Sequence, residues 1–203
     1  MTAGPYPYSY PISSPHPEPG VTQILFVCRA NQCRSPYAEA IARRLAGDRP
    51  LRFASGGLLS GGRPMPEAGR RVAGEVGLDF SKHVSREVDL HDFGQFDVIL
   101  TMAREQAREL VAADPDARPR IFTLKQFARW IGANPRPDDS AVGPWLDAVA
   151  ADRPAADLLG DDGADDVADP LRLPPDAWRR MIRELAANLK IVVDGLAPSR
   201  DDG

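Results

Sequence analysis

Ile24-Leu25-Phe26-Val27-Cys28-Arg29-Ala30-Asn31-Gln32-Cys33-Arg34-Ser35-Pro36 is the stretch on which the fold turns. The continuous apolar run Ile24 to Val27 suits a strand buried on both faces. Ser35-Pro36 reads as an N-cap and a first-turn proline, after which Tyr37, Ile41 and Leu45 recur at helical spacing until Gly47 ends the run. The loop between strand and helix lies where ligands bind in an open parallel sheet, beyond the carboxyl ends of the strands. Successive backbone N–H groups of Arg29, Ala30, Asn31, Gln32, Cys33 and Arg34, curling into a helix N-terminus, form an anion cradle reinforced by the helix dipole. Arg34 adds a planar fork that matches two oxygens of a phosphate. The same field favours a thiolate at Cys28, so nucleophile and phosphate meet at one point. Asn31 suits the bend because it tolerates left-handed backbone better than most residues. The plain alternative is a buried cysteine at a strand end, with Ser35 serving only as a cap.

Outward from this loop, strands and helices alternate. Leu51 to Ala54 is a short second strand, followed by a glycine-rich loop over 56–62 and a helix from Pro66 to Val76 closed by Gly77. Phe96 to Thr101 reads as the third strand and Ala103 to Ala112 as its helix. Ile121 to Thr123 is a fourth strand, Leu124 to Ile131 a short helix, and Pro174-Pro175 open a last helix carrying Trp178, Met181, Ile182, Leu185, Leu189 and Val192. This order predicts an α/β fold: a single doubly wound domain over 21–197, with a four-stranded parallel sheet flanked by helices. Residues 133–168, rich in Pro, Gly and Asp, read as an irregular acidic insertion with a little helix at 142–151. Residues 1–20 hold six prolines and three tyrosines. They read as a disordered or polyproline-II tail, a solvated leader or else a tyrosine-phosphorylatable segment; 198–203 reads as a disordered C-terminus.

The chain has 203 residues, 43% hydrophobic and 27% charged, enough for one domain with a real core. A net charge of −4 argues against general nucleic-acid binding and leaves room for a local anion site. No apolar run approaches the ~20 residues of a membrane span, and residues 1–20 lack the pattern of a signal peptide. Two cysteines exclude a disulfide-stapled secreted domain and a four-cysteine zinc site. His16, His83 and His91 show no metal-ligand spacing, so neither metal nor other cofactor is expected. A cytoplasmic protein is the default; the sequence is silent on oligomeric state.

At the loop the sequence resembles the low-molecular-weight protein tyrosine phosphatases, whose signature is a cysteine, five residues, an arginine and Ser-Pro. Ala54-Ser55-Gly56-Gly57 is similar to the family's serine-containing segment after the second strand. Lys82-His83-Val84-Ser85-Arg86-Glu87 resembles its His-x-x-Arg stretch, and Phe93 to Met102 its Phe-Asp-x-Ile-x-x-Met strand. The likeness covers roughly residues 23 to 124 and 165 to 196. It implies a cysteine-dependent phosphate-monoester hydrolase, with a phosphotyrosine protein or other phosphomonoester as substrate and a phosphocysteine intermediate. Cys28 would be the nucleophile and Arg34 the phosphate and transition-state ligand. Asn31 and Ser55 would hold the strained bend, and Ser35 would hydrogen-bond the Cys28 sulfur as a leaving group. Cys33 is either a small apolar residue under the loop or, as the resemblance favours, a redox partner forming a reversible disulfide with Cys28.

Such chemistry needs a proton donor for the departing oxygen. The family places it on an Asp-Pro before the last helix. Of Asp114-Pro115 and Asp169-Pro170, topology selects Asp169, because Asp114 ends the helix that leads away from the third strand's carboxyl end. Asp165 and Asp166 are nearby rivals, while Asp157, Asp161 and Asp162 read as solvated. The sequence also departs from the pattern. Leu58-Leu59-Ser60-Gly61-Gly62 and Leu171-Arg172 stand where aromatic rim residues are usual, and Arg29-Ala30 replaces an apolar-Gly pair. Alternatives on the same fold are an arsenate reductase using an external thiol and a catalytically silent phosphate-binding module.

Overall fold

The strand β1 (Thr22–Cys28) sits between β2 (Leu51–Gly57) and β3 (Val98–Thr101), with β4 (Ile121–Thr123) beyond β3, and every pairing is parallel. This computed structural model describes residues 20–89, 93–137, 140–151, 153–154 and 163–197. All but Gly20 of the tail expected at 1–20, the tail expected at 198–203, and His16, His91, Asp157, Asp161 and Asp162 lie outside the described residues. Because successive strand residues face opposite sides, Ile24, Phe26 and Cys28 enter one apolar layer, and Leu25 and Val27 the other. Along β3, Val98 and Leu100 divide from Ile99 in the same way. Burial on both faces is why these strands are apolar without alternation.

The first layer is filled from α1 (Arg34–Ala46), α2 (Glu67–Glu75), α4 (Leu124–Ala133), α5 (Val142–Val149) and α6 (Pro175–Leu196). The second receives Ala107 and Leu110 of α3 (Arg104–Ala113), with Val88, Phe93 and Phe96 from the connection leading to β3. The chain leaves β1 on one side to make β2 and returns on the other for β3. The carboxyl end of β1 is therefore the switch point at which a doubly wound sheet opens a crevice. Among the described residues no helix is long and apolar enough to cross a membrane.

Three expectations need correction. Ser35 is not the N-cap of α1: the helix begins at Arg34 after Cys33, with no side chain capping it, because the Ser35 hydroxyl is bonded inside the preceding loop. Pro36 still sits in the first turn, where its missing N–H costs nothing. The third strand starts at Val98, since Phe93–Gln95 forms a 3-10 turn; Asp97 instead uses its carboxylate to accept from the Gln23 N–H at 2.8 Å. Residues 133–168 are not simply an irregular insertion. Val142, Trp145, Leu146 and Ala150 pack into the first layer, and the Trp145 ring lies 5.2 Å from that of Trp130. The little helix expected at 142–151 is there as α5, but it is part of the core, and on its outer side Asp147 pairs with Arg120.

If α5 is part of the core, Trp145→Ala should lower unfolding free energy by about 3–5 kcal/mol, read from urea unfolding. A loss under about 1 kcal/mol, the size of a surface substitution, would make α5 a surface appendage.

Candidate active site

Cys28 ends β1, and the next residues leave the sheet at its switch point. The turn that follows is set by Asn31, which has φ 49°, in the left-handed region. Every polar group of this buried residue but its backbone N–H is engaged here. The amide nitrogen donates to Ser35 Oγ (3.0 Å) and Ser55 Oγ (2.9 Å), and Oδ1 accepts from the Arg86 N–H (3.0 Å). Its carbonyl pairs with His83 Nε2 at 2.7 Å. Ser55 comes from β2; His83 and Arg86 come from the connection after α2, which runs beside the end of β2 through Gly57–Arg86 and Val88–Gly57 backbone bonds. Gly57 is required there: a Cβ would stand 2.7 Å from the Asn31 nitrogen.

Ser35 Oγ lies 3.0 Å from Cys28 Sγ and 3.1 Å from the Gly56 carbonyl. Its lone pair takes the Asn31 amide, so its single proton has two destinations, Gly56 O or an ionised Cys28 sulfur. The hydroxyl can thus accept from a thiol or donate to a thiolate without moving.

Arg34 is 7% exposed, and the structure spreads its guanidinium across the gap to the segment before α6. Nη1 donates to the Val167 carbonyl (3.3 Å) and Nη2 to Asp169 Oδ2 (2.6 Å). Among the described residues the buried Nε has no partner. A buried, charged donor left unpaired is costly, and here it belongs to the fork that closes the 28–34 loop. The other Asp169 oxygen accepts from the Leu171 N–H at 3.0 Å, which fixes the carboxylate over Arg34.

Asp114, the other Asp-Pro candidate, is elsewhere. It ends α3 and accepts from the Asp116 and Ala117 N–H groups to start the next turn. Asp165 and Asp166 are close by and already committed. Asp165 accepts from Arg104 Nε (2.7 Å), Gln126 Nε2 (2.9 Å) and Arg129, while Asp166 accepts from the Arg104 N–H (2.8 Å). Cys33 is a buried free thiol. Burial pushes it well up, with the charges of Asp169 and Cys28 adding, so it stays neutral. Gln32 reaches the Pro64 carbonyl (3.0 Å), and Arg29 turns its side chain outward to Glu109 (2.6 Å) and Glu105 (3.7 Å) on α3. Only the backbones of these two residues therefore remain toward the loop interior. Leu59 and Leu171 are exposed beside the cleft. The Arg29–Glu109 pair and the Asp165 cluster were not legible beforehand, since their partners are 80 and 36–61 residues away and no local pattern marks them.

A family model described as low molecular weight phosphotyrosine protein phosphatase matches residues 23–135. A probable low molecular weight protein-tyrosine-phosphatase of Ralstonia solanacearum is 31% identical over 110 residues, covering 54% of this chain and 75% of that protein. The Homo sapiens low molecular weight phosphotyrosine protein phosphatase is 35% identical over 99 residues, 46% of this chain and 62% of that one. Among solved structures, a low molecular weight protein tyrosine phosphatase from T. tengcongensis superposes with TM-score 0.64 at 25% identity, over 85% of this chain and 98% of that chain. The YwlE arginine phosphatase from Geobacillus stearothermophilus gives 0.63 at 24% identity, over 86% and 92%, a likeness of fold.

His83 ties the loop to the pH scale. Burial pushes its ring below the ordinary value, with the Asn31 hydrogen bond and the Glu39 charge opposing in part. The unfolded chain then binds the proton more readily than the folded one, so stability is full above about pH 6.5 and falls as pH drops toward the depressed folded value. Denaturant unfolding of the wild type from pH 7.5 to 5.5 should show this loss, and His83→Gln should show less of it. Parallel curves would exclude His83 as the titrating group.

Proposed function

The chain belongs to the low molecular weight phosphotyrosine protein phosphatase family, and from that premise we propose that Cys28, Arg34 and Asp169 carry out phosphate-monoester hydrolysis in this protein. The observation that carries the reading is Arg34: buried, ending the 28–34 loop, with Nε unpaired and Nη2 on Asp169. A phosphate is the group that satisfies such a fork, because two N–H donors and two oxygens match in a plane.

In this reading the phosphate enters the loop, takes the N–H groups of residues 29–34 and the Arg34 fork, and displaces the Asp169 carboxylate from Nη2. Asp169, anchored by Leu171, stays near the ester oxygen. Cys28 Sγ attacks phosphorus in line, forming the S–P bond as the P–O bond to the leaving group breaks. Asp169 delivers its proton to that oxygen, and an alcohol or phenol departs. Water then attacks the phosphocysteine, Asp169 receives the proton, and the S–P bond breaks to regenerate the thiolate, which the Ser35 hydroxyl stabilises at 3.0 Å. Phosphate is released.

A phosphotyrosine protein is the proposed substrate. Relatives named as protein-tyrosine phosphatases support this, and the exposed Leu59 and Leu171 offer aliphatic walls against which a phenyl ring can pack. Cys33 is proposed as the resolving thiol: peroxide converts Cys28 to a sulfenic acid, which condenses with the Cys33 thiol to a disulfide and releases water. Two free thiols suit a reducing compartment, and we place the protein in the cytoplasm.

Cys28→Ser should abolish turnover of aryl phosphates while inorganic phosphate still binds, and Arg34→Lys should fall by orders of magnitude because a point charge cannot reproduce the fork. Steady-state kinetics with isothermal titration of phosphate checks both; turnover by the serine variant would sink the nucleophile.

The acid is tested through the leaving group. Asp169→Ala should lose about 10²–10⁴-fold in kcat with phenyl phosphate and far less with an activated nitrophenyl or fluorinated-aryl ester. Equal losses on both would remove Asp169 from the proton transfer.

A further inference from the structure

We propose that Asp165, clamped by Arg104 and Arg129, is a positioning residue that holds the proton donor over the phosphate loop; the proposal rests on the reading of Asp169 as that donor. The need for such a device follows from the reaction itself. Asp169 is 42% exposed at its side chain and lies in a stretch, 166–170, with neither helix nor strand. Its long-range side-chain bond runs to Arg34, the group a phosphate takes over. Once substrate binds, the carboxyl stays in place only if the backbone beneath it is held by something else.

Besides the Arg34 Nη1 bond to the Val167 carbonyl, four connections among the described residues hold that backbone. The Val167 N–H donates to the Met102 carbonyl at 2.9 Å, continuing β3 by one bond. Asp166 accepts the Arg104 N–H at the start of α3, and its carbonyl accepts from Lys125 Nζ (2.6 Å). Asp165 is the fourth and the most heavily bonded, with Arg104, Gln126 and Arg129 converging on one carboxylate that is 2% exposed. Arg104 belongs to α3, after β3; Gln126 and Arg129 belong to α4, after β4. The anchor therefore ties the acid segment to the carboxyl-edge ends of two strands at once. Three residues separate it from Asp169.

A buried carboxylate is a poor device for stability, since desolvation consumes most of what the ion pairs return, and its best-supported use is to specify one arrangement. Burial pushes the Asp165 carboxyl up; hydrogen bonds and charge from Arg129 and Arg104 outweigh this and hold it below the usual carboxylate range. The anchor is thus charged across the working pH range. Lys125, which also faces this segment, is engaged by Glu184 of α6.

The test uses the full chain with two variants. Asp165→Asn removes the charge within the same shape. Arg129→Ala removes one clamp whose side chain is 62% exposed, so no core void opens. For both, kcat with phenyl phosphate should fall roughly 10- to 100-fold, the scale of an ångström-sized misplacement. KM should hold, kcat with an activated nitrophenyl ester should change under about threefold by the same reasoning, and Arg129→Lys should recover part of the loss. In an Asp169→Ala background, Asp165→Asn should cost nothing further on either ester. Equal losses on both esters, or none, in variants that fold while Asp169→Ala keeps its leaving-group selectivity, would overturn the positioning role and leave the acid intact. An Asp169→Ala variant without that selectivity would take down both.

Discussion

The left-handed turn at Asn31 is the constraint around which the site is arranged. For a residue with a Cβ this backbone costs about 1–2 kcal/mol, and the cost is set against hydrogen bonds from four directions: α1 through Ser35, β2 through Ser55, and His83 and Arg86 from the connection after α2. At roughly 0.5–1.5 kcal/mol each, these together offset the strain. Ser35, Ser55 and His83 are buried, so loss of any of these bonds leaves a polar group unsatisfied as well. The turn leads directly into α1, whose first residue, Arg34, meets Asp169 across the gap.

Charge in the site is arranged in a chain rather than a cluster. Arg34 is buried with one nitrogen unpaired and another on Asp169, while the next carboxylates along, Asp166 and Asp165, are bonded to α3 and α4. Asp169 is the member of this acidic stretch bonded to Arg34. Sequence proximity alone does not separate the three. Partner geometry does: two carboxylates build the segment, and the third faces the 28–34 loop.

How much of this was readable depended on how far each signal reached. The Ile24–Val27 run, the Arg34-Ser35-Pro36 helix start and the Leu185–Leu189–Val192 spacing are local patterns, and the doubly wound sheet and the loop at its switch point follow from them. Only the capping use of Ser35 was misread, because a serine before a proline is a common local cap; the bond to Cys28 that the resemblance implies is there, together with bonds to Asn31 and Gly56. α5 was underrated because Gly143, Pro144 and neighbouring aspartates dilute its apolar face; what it packs on, Trp130 of α4, is not encoded locally. The Asp165 clamp had no signal at all. Arginines are so common in this chain that no pair of them stands out until the fold brings them to one carboxylate.

The two halves of the site also differ in how much of the chain they draw on. Cys28, Asn31, Ser35 and Ser55 lie within 28 residues of one another, and their mutual bonds need only β1, α1, β2 and the segment carrying His83 and Arg86. Asp169, the proposed acid, lies 135 residues after Arg34. Its downstream end runs directly into α6, whose Trp178, Met181, Leu185 and Leu189 fill the same layer as Tyr37 and Ile41 of α1. Tyr37, three residues past Arg34, lies 6.2 Å from Trp178 ring to ring and donates to the Gly69 carbonyl at 2.6 Å. The helix that follows the 28–34 loop is thus gripped by the helix that follows Asp169. Upstream, the Asp165 clamp fixes the other end of the segment to α3 and α4. The proposed proton donor is therefore held from both ends by elements far along the chain, and on the proposed mechanism full competence belongs to the finished packing rather than to the motif alone.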